Sequence, residues 1–150
     1  MKQTLYIDLD GVIVDVERYI NETYKPEYIK SNGIGTLIDN HVDIFNHSQP
    51  IPGAVAAFRQ LAQKYEVYIL STAPWDNPES WTAKRLWVEK HLGSEAYKRL
   101  ILSHNKGLLR GSYLIDDRIA NGVAEFEGTH IHFGSTDTTD WETVMQLFEV

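Results

Sequence analysis

The sequence predicts an α/β fold in which a parallel sheet carries helices on both faces. Three observations point there. Short apolar runs rich in β-forming residues alternate with segments whose apolar residues recur at helical spacing. No hairpin dipeptide joins two of those runs directly, so each return passes through a helix or a long connection. Three of the runs end in acidic or hydroxyl residues, as parallel strands do when their carboxyl ends share one ligand-binding edge.

Thr4 to Leu9 reads as a buried strand, mostly apolar and holding the β-formers Tyr6 and Ile7. Gly11 supplies a turn. Val12 to Tyr28 is predicted as one helix, with Val12, Val16, Tyr19, Ile20 and Tyr24 near the helical period and Pro26 kinking or ending it. From Ile29 to Gln49 the character changes: Ser31-Asn32-Gly33-Ile34-Gly35 reads as a loop, and Asp39 to His47 is mixed and polar. About 40 residues separate the first strand from the next clear helix, too many for a plain connection. They are expected to fold over the strand end as a small lid, a cap segment at about 14–50 within a single domain of residues 1–150.

Pro50-Ile51-Pro52-Gly53 punctuates the chain, and Ala54 to Lys64 follows as a helix with Val55, Phe58, Leu61 and Ala62 on one face. Glu66 to Leu70 is the second core strand and runs into Ser71-Thr72-Ala73-Pro74. The third helix spans roughly Glu79 to Leu92, ended by Gly93. Leu100-Ile101-Leu102 and Tyr113-Leu114-Ile115 are short strands, the second ending in Asp116-Asp117, and Thr129 to Phe133 is the last. Thr139-Asp140-Trp141-Glu142 has the capping-box form and opens a C-terminal helix whose apolar face is Trp141, Val144, Met145 and Phe148.

Bulk properties narrow the function. A chain of 150 residues fills one domain with a full core. Its formal net charge of −7 argues against a nucleic-acid polymer or an anionic membrane as partner. With no cysteine, disulfides, zinc–thiolate sites and thiol catalysis are excluded. Met1-Lys2-Gln3-Thr4 runs directly into the first strand without a secretory signal, so a cytoplasmic protein is expected.

The chemistry sits at the strand ends. Asp8 and Asp10, two residues apart, leave the first strand on one side, and carboxylates that close repel unless a cation lies between them. Parallel strands bring Ser71, Thr72, Asp116 and Asp117 to the same edge, and Lys106 can reach it from the preceding loop. In-line attack on phosphorus needs a nucleophile, neutralised phosphoryl oxygens and a proton for the leaving group. Asp8 suits the nucleophile and Asp10 the acid, then the base for water. Ser71 would hydrogen-bond a phosphoryl oxygen, Thr72 would either contact substrate or hold the turn, and Lys106 would place a charge on the phosphoryl group. Asp116 and Asp117 would complete a hard oxygen site for Mg²⁺ with Asp8 and Asp10, although Asp117 could instead orient Lys106.

These residues resemble a known family. Asp8-Leu9-Asp10-Gly11-Val12, Ile69-Leu70-Ser71-Thr72, Lys106 and Leu114-Ile115-Asp116-Asp117 are similar to the four motifs of the haloacid dehalogenase-like phosphohydrolases. Pro50 to Val55, Lys84 to Lys90 with Gly93, and Asn105-Lys106 leading to Asp116-Asp117-Arg118 resemble the 5′(3′)-deoxyribonucleotidases among them. The resemblance implies a Rossmann-like parallel sheet flanked by helices, with a small helical cap inserted after the first strand. It also implies an aspartyl-phosphate intermediate, and a Mg²⁺ served by the backbone carbonyl of Asp10. Two features depart from the family: the Ile29–Gln49 segment is trimmed, and Val16 stands where the family has a phenylalanine that stacks on the base.

Two other carboxylate-bearing folds fit less well. For an EF-hand the spacing lacks the third ligand position before the glycine and the bidentate Glu, and a receiver domain orders its acidic strands differently. Lys84 fits a solvated helix face better than a phosphate contact. Among the six histidines only His104 lies near the Lys106 loop. Trp75, Trp81 and Trp87 suit the core or contacts with the lid, though Trp75, just past Thr72, could face a base; Tyr19, Tyr24 and Phe45 are the other candidates for stacking. The expectation is a Mg²⁺-dependent phosphomonoesterase for a small phosphorylated substrate, a (deoxy)nucleoside monophosphate. The alternatives are another small ester such as a sugar phosphate, or a non-catalytic phosphate-binding module.

Overall fold

A computed structural model describes residues 1–149. Five parallel strands, β1 (Thr4–Ile7), β2 (Glu66–Ser71), β3 (Leu100–Leu102), β4 (Tyr113–Asp116) and β5 (Thr129–His132), lie in the order β3-β2-β1-β4-β5. The first strand is central. From it the chain goes out through β2 to β3, then crosses to β4 on the other side. The order therefore reverses beside β1, the place where such sheets open a crevice at their carboxyl ends.

Alternation along the strands divides the core. Leu5, Ile7, Val67, Ile69, Ile115 and Ile131 face one side and pack with α5 (Ala54–Lys64), α6 (Pro78–Leu92) and α7 (Trp141–Leu147) through Phe58, Leu61, Trp87, Leu92, Trp141 and Val144. Tyr6, Leu70 and Leu114 face the other side, where Val123 and Phe126 cover them. That second face is thinner, carried by the short 3₁₀ turns Lys106–Leu108 and Val123–Glu125.

The segment after β1 differs most from expectation. Val12 to Tyr28 is not one helix. Residues 12–15 form a tight turn, with the Ile13 and Val14 N–H groups donating to the Leu9 carbonyl. The helix α1 (Val16–Thr23) starts only where Asp15 accepts a hydrogen bond from the Arg18 N–H. Pro26 does not end a helix but opens the next, α2 (Pro26–Asn32), because a first-turn proline has no N–H to satisfy. The expected loop after it is likewise helical: α3 (Ile34–Asn40) and α4 (Asp43–His47) follow. Gly33, at φ +82°, reverses the chain between α2 and α3, a conformation that costs a glycine little. Short amphipathic helices read as loops because one or two turns give too few periods to count. They are held by burial of Leu37, Ile44 and Phe45, and by Asp43, which accepts hydrogen bonds from Tyr19 and Tyr24 at 2.9 and 2.7 Å.

The C-terminal cap is displaced by one residue. Asp140, not Thr139, is the N-cap, and it exchanges hydrogen bonds with Thr143 rather than Glu142. Among the described residues, no helix is long and apolar enough to cross a membrane.

Candidate active site

Two buried lysine pairs organise the carboxyl edge. Asp8 follows β1 and its N–H donates to the Ile115 carbonyl of β4, which brings it beside Asp116. Lys106 is buried between them, with Nζ 2.9 Å from Asp8 Oδ1 and 2.6 Å from Asp116 Oδ2. Its loop is pinned by the Lys106 N–H to the Asn121 carbonyl, 2.6 Å, and by Asn105, whose side chain accepts from the Gly107 N–H. Asp116 is fixed further by the Arg118 N–H at 3.0 Å.

The second pair was not expected. Lys84, on α6, is fully buried, 2.7 Å from Asp10 Oδ2 and 2.8 Å from the Ser71 hydroxyl, with its ammonium 4.8 Å above the Phe45 ring. It is therefore not on a solvated face. The sequence did carry a signal: Ser80, Trp87 and Val88, at helical spacing around Lys84, are all buried. A lysine inside a buried stripe asks for a partner.

Asp8, Asp116 and Asp117 each offer a carboxylate oxygen within 4.8 Å of one another. Asp10 is not in that group through its side chain, whose Oδ2 is held by Lys84 while Oδ1 is buried without a partner. The side-chain cluster that could hold a cation is Asp8, Asp116 and Asp117. Asp117 does not orient Lys106, which Asp8 and Asp116 already hold. One carboxylate oxygen of Asp117 is buried without a partner. Burial, then the charges of Asp8 and Asp116, push its carboxyl up to about 8. Crowded hard oxygen donors, one left unpartnered, fit a Mg²⁺ ion. Gly11, at φ +79°, lets the turn pass: a Cβ there would collide with Asp117 Oδ2.

Burial also raises the Asp8 and Asp10 carboxyls above the ordinary range, against the lowering pull of Lys106 on the first and Lys84 on the second. Burial pulls the Lys106 ammonium down, but Asp8 and Asp116 outweigh it and leave it raised.

Thr72 donates its hydroxyl to the Ser103 carbonyl at 2.7 Å, tying the end of β2 to the loop after β3. A small cavity of about 50 Å³ is lined by Asp8, Asp10, Thr72, Lys106, Asp116 and Arg118. A larger one of about 470 Å³ shares Asp10, Thr72, Arg118 and Asn121 with it and extends to Val16, Ile34, Ile38 and Trp75. Of the aromatic candidates, Phe45 is buried under Lys84 and the hydroxyls of Tyr19 and Tyr24 are committed to Asp43. Trp87 is buried and donates to the Ser48 carbonyl, and Trp81 donates to the Pro74 carbonyl. His104 lines the larger cavity beside Trp75.

Residues 2–146 match the family described as 5′ nucleotidase, deoxy (pyrimidine), cytosolic type C. The chain belongs to that family. A protein of Vibrio phage KVP40 with a provisional 5′(3′)-deoxyribonucleotidase name is 51% identical over 144 residues, covering 96% of this chain and 83% of its own. The 5′(3′)-deoxyribonucleotidase of Bacillus subtilis is 31% identical over 150 residues, covering 89% and 86%. The fold is that of the haloacid dehalogenase-like hydrolases. The provisionally named hydrolase YfnB of Bacillus subtilis, solved with magnesium bound, superposes with a TM-score of 0.66 at 12% identity, covering 99% of each chain. A haloacid dehalogenase-like family hydrolase from Streptococcus pneumoniae gives 0.59 at 12% identity, covering 97% and 90%.

Proposed function

We propose that this family member is a Mg²⁺-dependent phosphomonoesterase that hydrolyses (deoxy)nucleoside monophosphates through an aspartyl-phosphate on Asp8. The names of its relatives support the substrate class. The observation that carries the chemistry is the separation of two buried carboxylates into two environments: Asp8 shares Lys106 with Asp116, while Asp10 has its own cation in Lys84.

Asp8 attacks phosphorus in line as the ester P–O bond breaks, and the protonated form of Asp10, which burial favours against the pull of Lys84, gives its proton to the departing oxygen. A carboxyl raised by burial suits that donor. Asp10, now a carboxylate, takes a proton from water, and the resulting hydroxide attacks phosphorus. Phosphate leaves and the Asp8 carboxylate is restored. Ser71 and Lys106 hold phosphoryl oxygens, with Thr72 shaping the turn beside them. Asp8, Asp116 and Asp117, with the Asp10 carbonyl, would hold Mg²⁺, which supplies charge neutralisation for the phosphoryl oxygens when bound.

A panel of nucleoside monophosphates, sugar phosphates and an aryl phosphate, with and without Mg²⁺, tests this function. Turnover of nucleotides only with Mg²⁺ is expected. Asp8→Asn should lower kcat by more than about 10³-fold while circular dichroism stays that of the folded protein. Near-normal turnover in that variant would remove Asp8 as nucleophile.

A further inference from the structure

The larger cavity has a composition that the phosphoryl chemistry does not use. At about 470 Å³ it falls within the size of small-molecule sites, roughly 300–1,000 Å³. The small cavity it shares residues with, about 50 Å³, has room for little beyond the reacting group. The rest of any substrate must therefore lie along Val16, Ile34, Ile38, Pro74 and Trp75.

Trp75 is the unusual member of that set. It is 75% exposed, although large aromatic side chains are usually buried. Its neighbours do not cover it: Trp81 and His104 meet it with ring planes at 73° and 70°, centroids 6.3 and 5.8 Å away, so neither stacks parallel on it. Trp81 is itself held by the Pro74 carbonyl at 2.9 Å, which gives the pair a fixed base. An exposed indole on a fixed support, beside an apolar wall from α1 and α3, is a stacking platform.

We infer that Trp75 is the stacking surface for the nucleobase of the substrate, and that it sets the preference for nucleotides over aliphatic phosphate esters. The inference rests on the nucleotidase reading above. A flat heterocycle has apolar faces for Trp75 and for Ile34 and Ile38, and a polar edge that Glu17, Asp39 and Asn121 in the same lining can meet. A small aliphatic ester has no flat apolar face to lay on Trp75, Ile34 and Ile38, so it gains little from them. The other aromatic rings after β1 are occupied: Phe45 lies under Lys84, and Tyr24 packs on Tyr28 and His41.

The test compares Trp75→Ala and Trp75→Phe with the wild type on a deoxynucleoside monophosphate and on glycerol 2-phosphate, which has no ring. Loss of a stacking platform lowers affinity roughly 10- to 100-fold. Trp75→Ala should lower the ratio of kcat/KM for the nucleotide to that for glycerol 2-phosphate by that factor, through KM, and Trp75→Phe should restore most of it. Calorimetric titration of the nucleotide into Asp8→Asn, with and without Trp75→Ala, reads the same loss without turnover. An unchanged ratio, or Trp75→Phe as poor as Trp75→Ala, overturns the inference. Wild-type protein that hydrolyses only glycerol 2-phosphate or an aryl phosphate, and never nucleotides, overturns the nucleotidase reading itself.

Discussion

Replacing Lys84 by Met removes a fully buried ammonium from between Asp10 and Ser71. Methionine is close in length and suits the apolar surroundings, so little cavity is created. The cost lies in what remains. Asp10 loses a 2.7 Å charge-assisted hydrogen bond, a kind worth about 1.5–3 kcal/mol. Stranding one member of a buried ion pair costs about 3–5 kcal/mol in all. The Asp10 side chain keeps 20% exposure, but its Oδ1 is buried without a partner; the expected loss is at least the lower end of that range, about 3 kcal/mol. With a urea m-value of about 2 kcal/mol/M, the unfolding midpoint should fall by about 1.5 M. Adding Asp10→Asn removes the stranded charge, and the double variant should return to within about 1 kcal/mol of the wild type. The assay is urea unfolding followed by circular dichroism for the wild type, both single variants and the double. A neutral Lys84→Met, or a double variant less stable than Lys84→Met alone, would refute the view that Lys84 is held there by Asp10.

Two further outcomes follow from the carboxylate cluster. Gly11→Ala should destabilise the protein by at least about 1–2 kcal/mol, because its backbone is left-handed and its Cβ would strike Asp117; thermal unfolding reads the loss, and Mg²⁺ titration should show weakened binding. The Asp117 carboxyl, raised to about 8 from an unfolded value near 3.8, stabilises the metal-free fold only while it is protonated. In chelator, this contribution should therefore be lost as pH rises from about 4 to about 8, and level off above that. Saturating Mg²⁺ or Asp117→Asn should flatten that decline in urea midpoints; an equal slope in all three samples would count against the assignment.

The functional edge was legible where local chemistry and topology agree. Asp8 and Asp116 stand at ends of apolar runs, and parallel strands must bring such ends together, so their meeting with Lys106 followed from pattern alone. Lys84 was harder. Its helix gives no sign of which carboxylate lies across the crevice, and a lysine is usually solvated, although its place in the stripe of Ser80, Trp87 and Val88 was a readable warning. The helices α2, α3 and α4 were missed for a different reason. Each is two turns or fewer, below the length at which helical propensity and periodicity speak clearly, and each is stabilised by contacts such as Tyr24 with Asp43 that link residues 19 apart.

The sequence by itself determined the parallel α/β sheet, the helices after Pro52, and the set of acids and hydroxyls along one edge. Those depend on residue type and spacing, which a linear chain records. Only the tertiary structure decided how the charges pair: Lys106 with Asp8 and Asp116, Lys84 with Asp10, and Asp117 left crowded against Asp8. It also decided that Trp75, not an aromatic ring after β1, stands open beside the site. Pairing of this kind is fixed by distances of a few ångströms between residues up to 98 positions apart. At such range the interior's low dielectric makes each neighbour decisive, and spacing along the chain carries no trace of it.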